Sequence, residues 1–121
     1  MTPIVVVIEE DELLRALVAE WLTGAGYRVL AGTPAAPPAG DNAALVIVDL
    51  FMPRSDGADV VRGVQRRHPH ATVIATSAQF DAGVRGSWRV ARELGAWRLI
   101  AKPFSREELL GTVRAAVGRP R

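Results

Sequence analysis

The chain has 121 residues, too short for two domains but long enough for one substantial core. Its composition, 49% hydrophobic and 23% charged, is that of an ordinary globular domain, and the absence of cysteine excludes disulfides, thiolate catalysis and Cys-ligated zinc. A net charge of +2 and a pI of 9.9 invite a nucleic-acid reading, but the arginines are scattered and Lys102 is the single lysine, so no nucleic-acid partner is expected.

The opening Met1-Thr-Pro-Ile carries neither a basic n-region nor a long apolar run, so no signal peptide is expected. No stretch approaches the roughly 18 apolar residues of a membrane span. The expected location is the cytoplasm, with no membrane partner. A single domain over residues 1–121 is expected, with no effector domain attached.

Ile4-Val-Val-Val-Ile8 is a β-branched run that reads as a buried strand, and it ends in the acids Glu9-Glu10-Asp11-Glu12. From Glu12 the period changes to helical, with Leu13, Leu14, Leu17, Val18, Trp21 and Leu22 assigned to one buried face. Gly24 and Gly26 stop that helix, and Tyr27–Ala31 forms a short second strand. Residues 32–42 hold three prolines and two glycines, so a loop is expected where an alternating chain wants a helix, with one helical turn near Asp41–Ala44.

Leu45-Val-Ile-Val is a continuous apolar run into Asp49, as in a strand buried on both faces. Met52-Pro53 and Asp56-Gly57 punctuate a tight loop, and a helix runs from about Gly57 to Arg67 over Val60, Val61 and Val64. Ala71–Thr76 is the fourth strand and delivers Ser77; a loop from Gln79 to Ser87 and a helix over Trp88–Leu94 follow. Trp97–Ala101 is the fifth strand, ending at Lys102-Pro-Phe104. Ser105-Arg-Glu-Glu108 is a capping box, and Leu109, Leu110, Val113, Ala116 and Val117 stripe the last helix. Alternating strands and helices give an α/β fold: a doubly wound, five-stranded parallel sheet whose second helix is short or missing.

In such a sheet the strand ends converge on one carboxyl rim. Glu9, Glu10, Asp49, Ser77 and Lys102 all sit at strand ends. Asp49 alone has three readings: a helix N-cap, a metal ligand or a nucleophile. Three carboxylates brought together repel and want protons or a cation, and hard oxygen ligands with room for water suit Mg2+. A lysine and a hydroxyl beside them suit a phosphoryl group, and no histidine is placed to activate a serine. An aspartyl phosphate is then the plausible covalent state.

Four pieces carry a resemblance over nearly the whole chain: Val7-Ile-Glu-Glu-Asp-Glu-Leu-Leu-Arg15, Val48–Gly57, Ala75-Thr-Ser-Ala78 and Ala101-Lys-Pro-Phe104. In that order at strand ends they resemble the CheY-like receiver domain of two-component response regulators. The resemblance implies the flavodoxin-like strand order 2-1-3-4-5. It implies that Asp49 accepts phosphate from a histidine kinase or phosphotransfer protein. Glu9, Glu10, Asp49 and the backbone carbonyl of Phe51 would hold Mg2+, Ser77 would switch toward the phosphate, and Lys102 would bind its oxygens. A downstream protein target is implied, as is a possible homodimer through the face of the fourth helix, fifth strand and fifth helix.

The sequence departs from the family pattern in three places. Glu10 stands where the directly ligating residue is usually aspartate. Leu99 stands where an aromatic switch residue is usual, with Trp97 assigned to the same strand face by alternation. The proline-rich segment replaces the second helix. These departures keep a rival reading open, a pseudo-receiver that binds partners without Mg2+-dependent phosphorylation. An aspartate-nucleophile phosphatase ranks last, because Glu9-Glu10 do not supply its usual paired aspartates.

Overall fold

The computed structural model describes residues 2–40, 42–51, 53–79 and 87–120, leaving aside the side chains at 53–55, 87 and 88. Its elements, in chain order, are β1 (Ile4–Ile8), α1 (Glu12–Gly24), β2 (Arg28–Gly32), β3 (Ala43–Asp49), α2 (Pro53–Arg67), β4 (Thr72–Ser77), α3 (Ser87–Leu94), β5 (Arg98–Ala101) and α4 (Arg106–Val117). The strands pair in parallel in the order β2-β1-β3-β4-β5. This is the flavodoxin-like, doubly wound arrangement expected from the sequence.

Two apolar cores sandwich the sheet. On one face Val5, Val7, Leu45, Ile47, Ile74 and Ile100 meet Val18 and Leu22 of α1 and Leu109, Leu110 and Val113 of α4. On the other, Val6, Ile8, Val46, Val48, Val73 and Ala75 meet Val61 and Val64 of α2 and Leu94 of α3. The β-branched runs of β1 and β3 supply both cores by alternation, which explains why they are apolar throughout.

The helix ends follow local chemistry. Asp11 caps α1 by accepting from Leu14 N–H at 3.0 Å, so it and Glu12 serve the helix start. Ser105 caps α4 by accepting from Glu108 N–H at 3.0 Å. Such a cap contributes about 1 kcal/mol.

Several boundaries differ from expectation. α2 begins at Pro53, so Asp56 lies in its first turn and is not a turn residue beside Gly57. Proline suits a first helical position and an acid suits the first turn, so what reads as loop punctuation is a helix start. Ala43 and Ala44 open β3 where a helical turn was expected; Asp41 lies outside the described residues. Between β2 and β3, residues 33–40 carry no helix, as the prolines indicate.

Leu13 and Leu17 of α1 are 84% and 41% exposed and do not join the buried face, which is carried by Val18 and Leu22 with Leu14 and Trp21 partly buried beside them. Trp97 packs with the α1/α4 core whereas Leu99 packs with the α2/α3 core, so the two do not share a face. Trp97 precedes the first residue of β5, so strand alternation does not govern it. The guanidinium of Arg98 covers its ring at 4.2 Å. Residues 80–86 of the expected loop, and the Trp88 side chain, lie outside the described residues.

Candidate functional site

Strand register brings the chemistry together. Ile8 pairs with Val48, so Glu9 and Asp49 leave adjacent strands at the same level. Asp49 pairs with Thr76, and Ser77 pairs with Ala101, one residue before Lys102.

Lys102 is the hub. Its Nζ lies 2.8 Å from Glu9 Oε1 and 2.9 Å from Asp49 Oδ1, and all three side chains are largely buried. Burial works against the ammonium charge, but hydrogen bonds to Glu9 and Asp49 outweigh it and hold the Lys102 pKa above the ordinary lysine value. The backbone fixes the lysine too, Lys102 N–H donating to Ser77 O at 3.0 Å. The Lys102–Pro103 peptide is cis.

Glu9 is only 5% exposed and held on both sides. Its Oε2 accepts from Asp11 N–H at 3.1 Å, and its backbone carbonyl accepts from Arg15 Nη1 at 3.0 Å. Thr76 Oγ1 donates to Asp49 Oδ1 at 3.3 Å. Sequence reasoning missed both Arg15 and Thr76. Thr76 was legible in principle, as the residue level with Asp49 once the register is known, and Arg15 as a cation one helical turn beyond the acidic burst.

Ser77 is fully buried at the end of β4, its Oγ accepting from Gln79 N–H at 2.9 Å. Phe51 follows β3 with its side chain 79% exposed. Glu10 is exposed on the turn after β1. Among the described residues no group of three or more His, Asp or Glu side chains is arranged to hold a metal. Glu9 and Asp49 nevertheless already converge on one cation, the Lys102 ammonium. Two carboxylates with water are a donor set that Mg2+ accepts, so the residues present fit that ion.

Among the described residues no helix is long and apolar enough to cross a membrane. His68, given little chance of a chemical role by its sequence context, is 2% exposed, and neither ring nitrogen has a hydrogen-bond partner among the described residues.

Comparison with known proteins agrees with this geometry. The response regulator receiver domain family matches residues 5–114. The chain is 37% identical over 128 residues to the transcriptional regulatory protein KdpE of Mycobacterium tuberculosis, covering 98% of this chain and 52% of that protein. It is 31% identical over 117 residues to the regulatory protein VirG of Agrobacterium fabrum, covering 93% of this chain and 45% of that protein. The chain thus spans about half the length of these two curated relatives. Among solved structures, the chemotaxis protein CheY4 of Vibrio cholerae superposes with a TM-score of 0.73 at 20% identity, covering 97% of this chain and 100% of that one. A response regulator receiver protein from Burkholderia phymatum superposes with a TM-score of 0.69 at 28% identity, covering 98% and 97%. The chain belongs to the response regulator receiver domain family of two-component systems.

Proposed function

We propose that this receiver domain is phosphorylated on Asp49 by a histidine kinase or phosphotransfer protein and signals through a protein-binding surface that phosphorylation biases. The observation that carries this reading is the sharing of one buried ammonium, Lys102, by Asp49 and Glu9 at the tip of the sheet. An Asp49 oxygen attacks the phosphorus of a phosphohistidine, the P–N bond breaks, and the imidazole nitrogen leaves with the bonding pair. Lys102 stays within reach of the new phosphoryl oxygens and neutralises them. Ser77, at the end of the neighbouring strand, exchanges its local hydrogen bond from Gln79 for one to the phosphoryl group.

Glu9, Asp49 and the Phe51 carbonyl are the proposed holders of Mg2+, with Glu10, on the exposed turn beside Glu9, the fourth residue of the set. When bound, the ion offsets charge that builds on the transferring group. Glu9 is positioned for this by Asp11 N–H and Arg15, so little is left to reorganise. The domain performs its own phosphotransfer and is not otherwise an enzyme. A cytoplasmic location, a downstream protein target and a homodimer through α3, β5 and α4 belong to the same reading. So does a single domain over residues 1–121.

One observation favours the pseudo-receiver alternative. Lys102 already serves as counter-ion to both carboxylates, while Glu10 is exposed. A single experiment separates the readings: incubation with acetyl phosphate and Mg2+, followed by mass spectrometry and hydroxylamine cleavage. A base-labile phosphoryl adduct that Asp49→Asn abolishes is expected. If wild type gains no adduct and a titration detects no Mg2+ binding, the pseudo-receiver reading stands and the phosphorylation reading is wrong.

A further inference from the structure

Two residues beyond Ile47 and Ile74, both in the α1/α4 core, strand alternation continues the same face of the sheet with Asp49 and Thr76. Thr76 is 2% exposed, a burial at which a hydroxyl costs free energy unless it finds a partner. Register sets it level with Asp49, and its Oγ1 donates to Asp49 Oδ1 at 3.3 Å. For a hydroxyl donor that bond is long, and it falls on an oxygen that already takes the Lys102 ammonium at 2.9 Å. Both donors sit on Oδ1, which leaves Oδ2 to attack phosphorus.

The two donors differ in how far they can follow a phosphoryl group. Lysine carries its ammonium on a flexible four-carbon stem, so Lys102 can move out to the new oxygens. Thr76 is β-branched, stiff at χ1 and set within β4, so its hydroxyl stays beside Oδ1.

Such a donor does not treat the two states of Asp49 alike. A hydrogen bond to an ionised acceptor is roughly twice as strong as one to a neutral acceptor. Phosphorylation at Oδ2 makes Oδ1 a neutral carbonyl oxygen, and loss of the phosphoryl group returns negative charge to it. In that loss a water oxygen attacks phosphorus, the P–Oδ2 bond breaks, and the bonding pair returns to the Asp49 carboxylate. Both hydrogens of the water leave with the product, dihydrogen phosphate. The transition state of phosphoryl transfer is loose, so much of the carboxylate charge is already restored there. An interaction that is stronger in the transition state than in the ground state speeds the step.

We propose that the Thr76 hydroxyl shortens the lifetime of the Asp49 phosphate by holding Oδ1 as the carboxylate departs. The inference rests on the phosphorylation of Asp49 proposed above. Thr76 touches the reacting carboxylate and not the attacking water, so it sets how easily Asp49 leaves and not where the water stands. Ser77, the next residue, has the separate task of meeting the phosphoryl group.

The test compares the wild-type 121-residue chain with three variants. Thr76→Val keeps the branched shape without the hydroxyl, Thr76→Ser keeps the hydroxyl without the methyl, and Thr76→Ala lacks both. Each is phosphorylated with acetyl phosphate and Mg2+, desalted, and followed by intact mass spectrometry as the adduct decays. Thr76→Val and Thr76→Ala should each hold the phosphate about three- to fivefold longer than wild type, the rate equivalent of trading a charged acceptor for a neutral one. Thr76→Ser should restore decay toward the wild-type rate. A packing role predicts a different order, with serine and alanine altered by the cavity they leave and valine not. Decay of Thr76→Val and Thr76→Ala at the wild-type rate or faster overturns the proposal, and so does decay of Thr76→Ser as slow as theirs. Absence of any adduct on wild type is a different failure, that of Asp49 phosphorylation itself, and this proposal falls with it.

Discussion

Lys102 Nζ stands 2.9 Å from Asp49 Oδ1 at the tip of the sheet, and the same ammonium is 2.8 Å from Glu9 Oε1. One cation therefore balances two carboxylates in a largely buried place. Removing it leaves both acids buried and repelling. Lys102→Met is expected to destabilise the fold by about 3 kcal/mol, the lower end for breaking a buried pair because the lysine keeps some solvent contact. Adding Asp49→Asn to that variant should restore part of the loss, read as a double-mutant cycle by urea denaturation. Additive losses would mean that the two side chains do not interact.

Tyr27 supplies a pH test. Its hydroxyl donates to Gly118 O at 2.8 Å, tying the residue before β2 to the end of α4. Burial raises its pKa above the usual 10.0, with Arg114 and Arg119 pulling the other way. The stability this gives is fully present below pH 10.0 and is lost as pH rises from there through the folded value, because the unfolded chain ionises first. Tyr27→Phe should cost about 1 kcal/mol near neutral pH, the net worth of one hydrogen bond. Above the usual tyrosine pKa the gap between wild type and variant should narrow. Tyr27 is the chain's one tyrosine, so phenolate absorbance reports its titration directly.

The same substitution should have opposite signs at two glycines. A Cβ at Gly32 would lie 2.6 Å from Ala36 O and 2.8 Å from Pro38 Cδ, so the helix-free crossover is pressed against the end of β2. Gly32→Ala should cost about 1–3 kcal/mol through overpacking. A Cβ at Gly111, within α4, meets nothing within 4 Å, and Gly111→Ala should gain about 0.5–1 kcal/mol. Thermal melts of the pair, run side by side, decide both.

His68 makes a third stability test. It is buried with neither ring nitrogen hydrogen-bonded to any described residue, and an unpartnered buried polar group costs about 1–3 kcal/mol. His68→Leu, close in volume, is expected to stabilise the domain by about 1 kcal/mol in urea denaturation. A loss of stability would show that the imidazole has a partner in solution.

Much of this molecule is legible in its residues, and the reasons differ from element to element. β1 and β3 announce themselves because a strand buried on both faces must be apolar at every position. The carboxyl rim is legible because each buried run ends at the polar residue it delivers, from Glu9 to Lys102. What failed depended on neighbours. Leu13 is the exception: nine residues before Leu22 it sits about half a turn round the helix from it, so the period itself turns it outward, whereas Leu14 beside it reaches the core. Trp97 follows strand parity only if the strand includes it, and β5 starts one residue later. Pro53 reads equally as a loop breaker and as a helix start, and only the observed helix decides. Thr76 acquires its role from register with Asp49, which no single stretch of sequence records.

The bare crossover also shapes how the protein breathes. β2 is an edge strand, paired only with β1, and its outer residues Arg28, Leu30 and Ala31 are exposed. α1 backs one of its faces, and among the described residues no helix backs the other. β1, β3 and β4 are each bonded on both sides and buried on both faces. Local opening is cheapest where burial and bonding are thinnest. Native-state hydrogen exchange should therefore find β2 amides opening well below the global unfolding free energy while β3 opens only with the whole domain. The sheet behaves as a rigid trunk with one loose margin, and that margin lies on the far side of β1 from Asp49.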